Sequence, residues 1–242
     1  MDSIIQNVAI YALPVIFAIT LHEAAHWVWG AGGDFVAPDG RSVVFNAPKA
    51  LQGFRNYFGL RPFISPDSLG KSPRGDLFDT GDAVVYFAGP FLGNIARPLH
   101  PEWGDRLGIV QSPGPTFVGG SSLVMWPHSK HPQEAFELVR FLSSQPTRIP
   151  ASPHDQALPT RREALNMPSA ENDVFHRIFL QALQQGRGFP TIRLWGSIEE
   201  KLIVEISAIW AELFANPDTD LDACLHSHFD PLVQRLNIVL GN

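Results

Sequence analysis

Charge is scarce in this chain. Of 242 residues, 18 are Lys or Arg and 24 are Asp or Glu, 17% in all, leaving a formal net charge of -6. So small a basic complement makes no broad positive footprint, which argues against nucleic acid as a partner and against steering toward anionic surfaces; neutral ligands fit better. Cysteine is scarcer still. With Cys224 alone, no disulfide can form within the chain. Its place between Leu221 and Leu225 on an apolar face marks it as a buried small side chain rather than a reactive thiol. The chain also lacks internal repeats, heptad runs and low-complexity tracts, which sets aside solenoids, coiled coils and linker-like disorder.

Hydrophobic residues are plentiful at 45%, ample for one or two domains with a real core. The prolines and glycines gather between Val36 and Pro168, which predicts many turns between short elements there. They thin out over the last stretch, which predicts helices. At the other end, Ser3 to Leu21 carries no charge, and 14 of the 18 residues from Ile4 to Leu21 are apolar. As a helix this run is roughly 27 Å long, close to the hydrocarbon thickness of a bilayer. A cleaved signal peptide fits less well, because the start carries Asp2 and no basic residue. A buried core helix is the remaining alternative.

That run ends in His22-Glu23-Ala24-Ala25-His26. In HExxH the two histidines fall at i and i+4 on one helix face, where both can ligate a Zn²⁺ ion while the glutamate activates a metal-bound water. With the preceding run from Ile10 to Leu21, the segment resembles the first transmembrane helix of the site-2 protease family of membrane zinc peptidases. The resemblance implies His22 and His26 as zinc ligands and Glu23 as the catalytic group. It also implies an Asp ligand on a later membrane helix and further spanning helices, and the sequence offers neither. The long apolar stretch Ser197 to Asn216 holds Glu199, Glu200, Lys201, Glu205 and Glu212, which bars it from a bilayer. Zinc is therefore expected only on this alternative reading, and otherwise no cofactor; His22, Glu23 and His26 are expected to be a catalytic helix without its partners.

The rest of the chain alternates strand-like and helix-like pieces. Pro48, just after Asn46, opens a helix with Leu51, Phe54, Tyr57 and Phe58 on one face. The apolar runs Asp82 to Phe91 and Ser121 to Trp126 predict short strands buried on both faces. Helices are predicted from Pro132 to about Ser144, from about Asn172 to Gln185, from Ser197 to Asn216 behind a Ser197-x-x-Glu200 capping box, and from Leu221 to Leu240. Strands alternating with helices predict an α/β protein with a partly parallel sheet.

Several motifs in a fixed order go further. Gly32-Gly33-Asp34-Phe35-Val36 leads into Val44 to Leu51; Phe78 to Pro90 ends in Gly89-Pro90-Phe91; Phe117 to Ser122 carries Gly119-Gly120; Ser129 to Ser144 follows; Pro190 to Leu202 contains Trp195. Over residues 29–242 this order resembles the C-terminal half of a family 1 extracellular solute-binding protein of a sugar ABC transporter. The resemblance implies part of a two-lobed periplasmic-binding-protein fold of type II, residues 28–242, behind a hydrophobic, membrane-type helix at residues 1–27. It implies a sugar or oligosaccharide ligand, an ABC transporter permease as partner, and a place on the extracytoplasmic face of a bacterial membrane, held through residues 4–21. Phe91 and Trp195 would offer aromatic faces to a pyranose ring, and Gly119 and Gly120 would let backbone N–H and C=O groups approach its hydroxyls. Each has a structural reading as well, core aromatics for Phe91 and Trp195 and a plain turn for the glycines. Phe91 stands where the family has Trp, and Trp103 and Trp126 are expected to be structural.

Overall fold

Three long helices with apolar stripes account for most of the core. The computed structural model describes residues 21–64, 84–87, 89, 96–119, 123–144 and 174–241. The chain divides into two units, one of Met1–Tyr86, Gln111–Phe117 and Gln185–Asn242, the other of Phe87–Val110 and Val118–Gln184.

The first unit holds nearly all of the buried hydrophobic side chains. Helix α1 is described over residues 21–30 and buries Leu21, Ala24, Ala25 and Val28 completely, the stripe that a 3.6-residue period predicts. Gly32, at φ 76°, turns the chain in the left-handed region. There the amides of Ala31, Gly32 and Gly33 cap the carbonyls of Trp27, Trp29 and Val28. A hairpin reduced to one antiparallel bridge, Val36 to Val43, follows. Helix α2, Pro48–Phe58, starts on its proline and buries Leu51, Phe54, Tyr57 and Phe58.

Between the later helices, α5 (Trp195–Ala215) contributes Ile198, Leu202, Ile206, Ile209 and Leu213 to the core. Helix α6 (Leu221–Leu240) contributes Leu225, Phe229, Leu232 and Leu236 and packs on both α5 and α2. The Asp220 side chain caps α6 by accepting from the amides of Asp222 and Ala223, satisfying two donors that a helix start leaves open. Asn237, near the other end, holds both polar groups of Val43: its Oδ1 accepts from the Val43 amide at 2.7 Å, and its Nδ2 donates to the Val43 carbonyl at 3.3 Å. That pair substitutes for a neighbouring strand and ties the hairpin to α6.

The second unit contains helix α3 (Pro132–Ser144) and α4 (Val174–Gln185), the latter ending at the boundary of the first unit. Its described part also holds a 3-10 segment, Pro101–Arg106, broken at Gly104. Of its described apolar residues Ala96 and Ala182 are buried, whereas Phe136, Leu138, Phe141 and Leu142 of α3 are exposed.

The expected fold class is overturned. The α/β class is replaced by a mostly helical architecture: among the described residues there is no strand, only the isolated bridges Val36 to Val43 and Phe117 to Arg187. The described parts of both predicted strands, at 84–87 and 123–126, form no strand, and Val84, Val85, Val124 and Trp126 are exposed. An apolar run states a preference for burial but names no pairing partner, which is why it misled here. Exposure also removes the structural role expected of Trp126. The expected transmembrane helix is not supported: among the described residues no helix is long and apolar enough to cross a membrane. The run at residues 4–21 lies, except for Leu21, outside the described residues.

Candidate functional site

The HExxH residues sit on α1, whose opposite stripe is locked into the core, so their positions are fixed by packing. One turn apart, the His22 and His26 rings have centroids separated by 5.1 Å. His26 is 5% exposed. Its Nδ1 lies 3.1 Å from the Pro115 carbonyl oxygen and 3.0 Å from Ser112 Oγ. A carbonyl can only accept, so Nδ1 carries the proton and donates. The segment that supplies these partners presses on α1 at Gly114, where a Cβ would collide with the His26 carbonyl oxygen; only glycine permits that approach. His22 packs its ring against Phe117 at 4.6 Å.

Burial governs the charges of this group. It lowers the His22 pKa from 6.5 to about 4, with a smaller contribution from His26, because a low-dielectric surround disfavours the cation. It lowers that of His26 as well, against the opposing bond to Pro115. The Glu23 carboxyl is pushed from 4.5 up to about 7 by the same desolvation. Two neutral imidazoles beside a reluctant carboxylate could in principle meet a metal. Yet among the described residues the one group of three potential ligands with ligand atoms within 4.8 Å of one another is Glu212, Cys224 and His228. The HExxH residues therefore lack a third ligand within the described residues, and no hydrolytic step is derived from them.

An aromatic cluster extends from His22. Phe117 meets Phe189 at 4.8 Å, and Phe189 stacks on Trp195 at 4.5 Å with the planes 26° apart. Phe35 meets the edges of Trp29, Phe189 and Trp195. Arg187 lies over the Trp29 ring at 4.6 Å and pairs with Asp34 at 2.6 Å, while Trp29 Nε1 donates to the same carboxylate at 3.3 Å. Trp195 is thus half-buried, one indole face covered by Phe189. It shares the first unit with His22, Glu23 and His26, whereas Gly119 falls in the second unit. Phe91 and Gly120 lie outside the described residues. Phe189, Arg187 and Asp34 were not singled out from sequence; Arg187 and Asp34 are 153 positions apart, and no local pattern announces such a pair.

Comparison with known proteins bears on this arrangement. No protein-family profile matches the chain. A protein of Brucella abortus (strain 2308), named as a binding protein, is 25% identical over 185 residues, 72% of this chain and 44% of that protein. One of Deinococcus radiodurans, named as an ABC transporter-binding protein, is 24% identical over 130 residues, 50% of this chain and 31% of the relative. The solved structure of the sugar-binding protein MalE from Xanthomonas citri superposes with a TM-score of 0.67 at 20% identity, covering 90% of this chain and 55% of that one. The chain therefore has a MalE-like binding-protein fold, and it spans less than half the length of the Brucella relative.

Proposed function

We propose that the chain is the solute-recognising part of a carbohydrate ABC transporter, working with a permease on the extracytoplasmic face of a bacterial membrane. The observation that carries this reading is the likeness of 90% of the chain to a sugar-binding protein; the similarity to the Deinococcus protein supports the transporter context. Trp195 is the best-supported ligand-facing group: it stands at the first turn of α5, half-buried, with Phe189 holding its plane. A sugar's axial C–H face packs on such a ring, and its hydroxyls need hydrogen bonds from polar groups or exposed backbone, the roles proposed for Gly119 and Gly120, with Phe91 as a second face.

The experiment is Trp195→Ala, read by saccharide titration and thermal unfolding of the same preparation. Loss of about 1–3 kcal/mol of binding free energy is expected from lost stacking and apolar contact. A loss of roughly 3–5 kcal/mol in stability with unchanged affinity per folded molecule would mean that Trp195 serves only the core.

A further inference from the structure

The contact between α5 and α6 gathers a second set of chemically active groups. On α6, Cys224 and His228 are i and i+4 and so share one face. From α5, Glu212 reaches the same place, its Oε2 3.3 Å from His228 Nε2. The ligand atoms of all three lie within 4.8 Å of one another. Around a tetrahedral zinc with its usual bond lengths, ligand atoms sit roughly 3.5 Å apart, so closing the set takes only side-chain rotation. Glu205, two turns before Glu212, accepts from His228 Nδ1 at 2.8 Å, and Arg235 stands 3.8 Å from the other oxygen of that carboxylate. A carboxylate on Nδ1 holds the imidazole with Nε2 facing Cys224 and Glu212, the arrangement that orients a metal-binding histidine.

We infer that Cys224, His228 and Glu212 form a site for one Zn²⁺ ion between α5 and α6, with Glu205 positioning the imidazole. The donor set selects the metal class: a thiolate and an imidazole favour zinc over magnesium or calcium, and thiolate plus carboxylate balance its two positive charges. Binding replaces the Cys224 S–H bond with a sulfur–zinc bond and releases that proton to solvent. Any proton on His228 Nε2 leaves the same way, and Glu212 exchanges its bond to His228 for a zinc–oxygen bond. Glu212 is exposed while Cys224 is buried, so the fourth position opens to water on the solvent side. A metal there would clamp the last two helices of the first unit together. It does not depend on the saccharide reading.

The test is zinc titration of the metal-free full chain by calorimetry, with cobalt(II) as a spectroscopic substitute. One equivalent of zinc should bind, raise the unfolding temperature, and give cobalt a thiolate charge-transfer band. Cys224→Ser should abolish that band and weaken zinc at least 100-fold. His228→Gln should weaken it similarly, and Glu205→Gln about 10–100-fold. Glu212→Gln changes an exposed side chain, leaves the fold intact by circular dichroism, and should also reduce affinity. Zinc binding that is unaltered in folded Glu212→Gln and Glu205→Gln, or that disappears instead in His22→Ala, would overturn the assignment. So would an absence of binding in the wild type, which would leave His228 as a plain bridge between two carboxylates.

Discussion

Glu23→Gln is expected to stabilise the protein by about 2–3 kcal/mol at pH 8 and to leave it unchanged at pH 4. The folded carboxyl titrates near 7 and the unfolded one near 4.5. Between those values the folded state holds a proton that the unfolded state has released, so stability is complete below pH 4.5, falls as pH rises, and levels off above 7. Gln cannot ionise and escapes the loss. His22 acts in the opposite sense. Its folded pKa of about 4 lies below the ordinary 6.5, so its contribution is complete above pH 6.5 and is lost as pH falls toward 4. His26, whose pKa burial also lowers, acts in the same sense as His22, so in the wild type the falling Glu23 slope is opposed by both histidines between pH 4.5 and 6.5. Urea unfolding across pH 4–8 in the presence of a chelator should therefore give a profile that rises more steeply with pH for Glu23→Gln than for the wild type, and one shifted toward a fall for His22→Gln. Three parallel profiles would show that the buried α1 face does not control these groups.

Gly53→Ala should cost about 3 kcal/mol, although Ala is the better helix former. Gly53 lies where α2 crosses α1; a Cβ there would sit 2.6 Å from the Trp27 carbonyl oxygen and 2.7 Å from the Val28 nitrogen. Both are backbone atoms of a helix anchored in the core, so the two helices must separate, the situation in which overpacking is most damaging. Gly196→Ala is the control. In the first turn of α5 an added Cβ meets nothing within 4 Å, and the same chemical change should stabilise by roughly 0.5–1 kcal/mol. Denaturant midpoints for the two variants should move in opposite directions; a common direction would mean that the α1–α2 crossing is not close.

Local pattern revealed the helices and little else. The bounds of α3 and α6 follow from their apolar spacing and stops, Pro132–Ser144 and Leu221–Leu240, and Cys224 is buried as its neighbours suggested. The start of α5 was misplaced. Ser197-x-x-Glu200 offered a capping box, but the helix begins at Trp195 with Leu194 as its N-cap and no side-chain cap. A turn from Pro190 to Trp195, closed by Ile192 and Trp195 amides, carries the indole onto Phe189, and that tertiary stacking outweighs a local hydrogen bond. The strands failed for a similar reason, since ladder partners are non-local. The surroundings of His26 were equally out of reach: Ser112 and Pro115 are 86 and 89 residues away. HExxH could be read from sequence as a spacing, and so could the lack of an Asp on a later membrane helix; that Glu212, Cys224 and His228 gather elsewhere is a property of the folded neighbourhood.

The central claim, that this chain recognises a neutral carbohydrate, is tested most directly by calorimetric titration of the protein with neutral mono- and oligosaccharides, and with amino acids and short peptides as the comparison. The expected result is weak, saturable binding confined to saccharides, with a negative heat-capacity change from apolar burial against aromatic faces. Binding confined to amino acids or peptides, or no saccharide binding at millimolar concentrations, would contradict it.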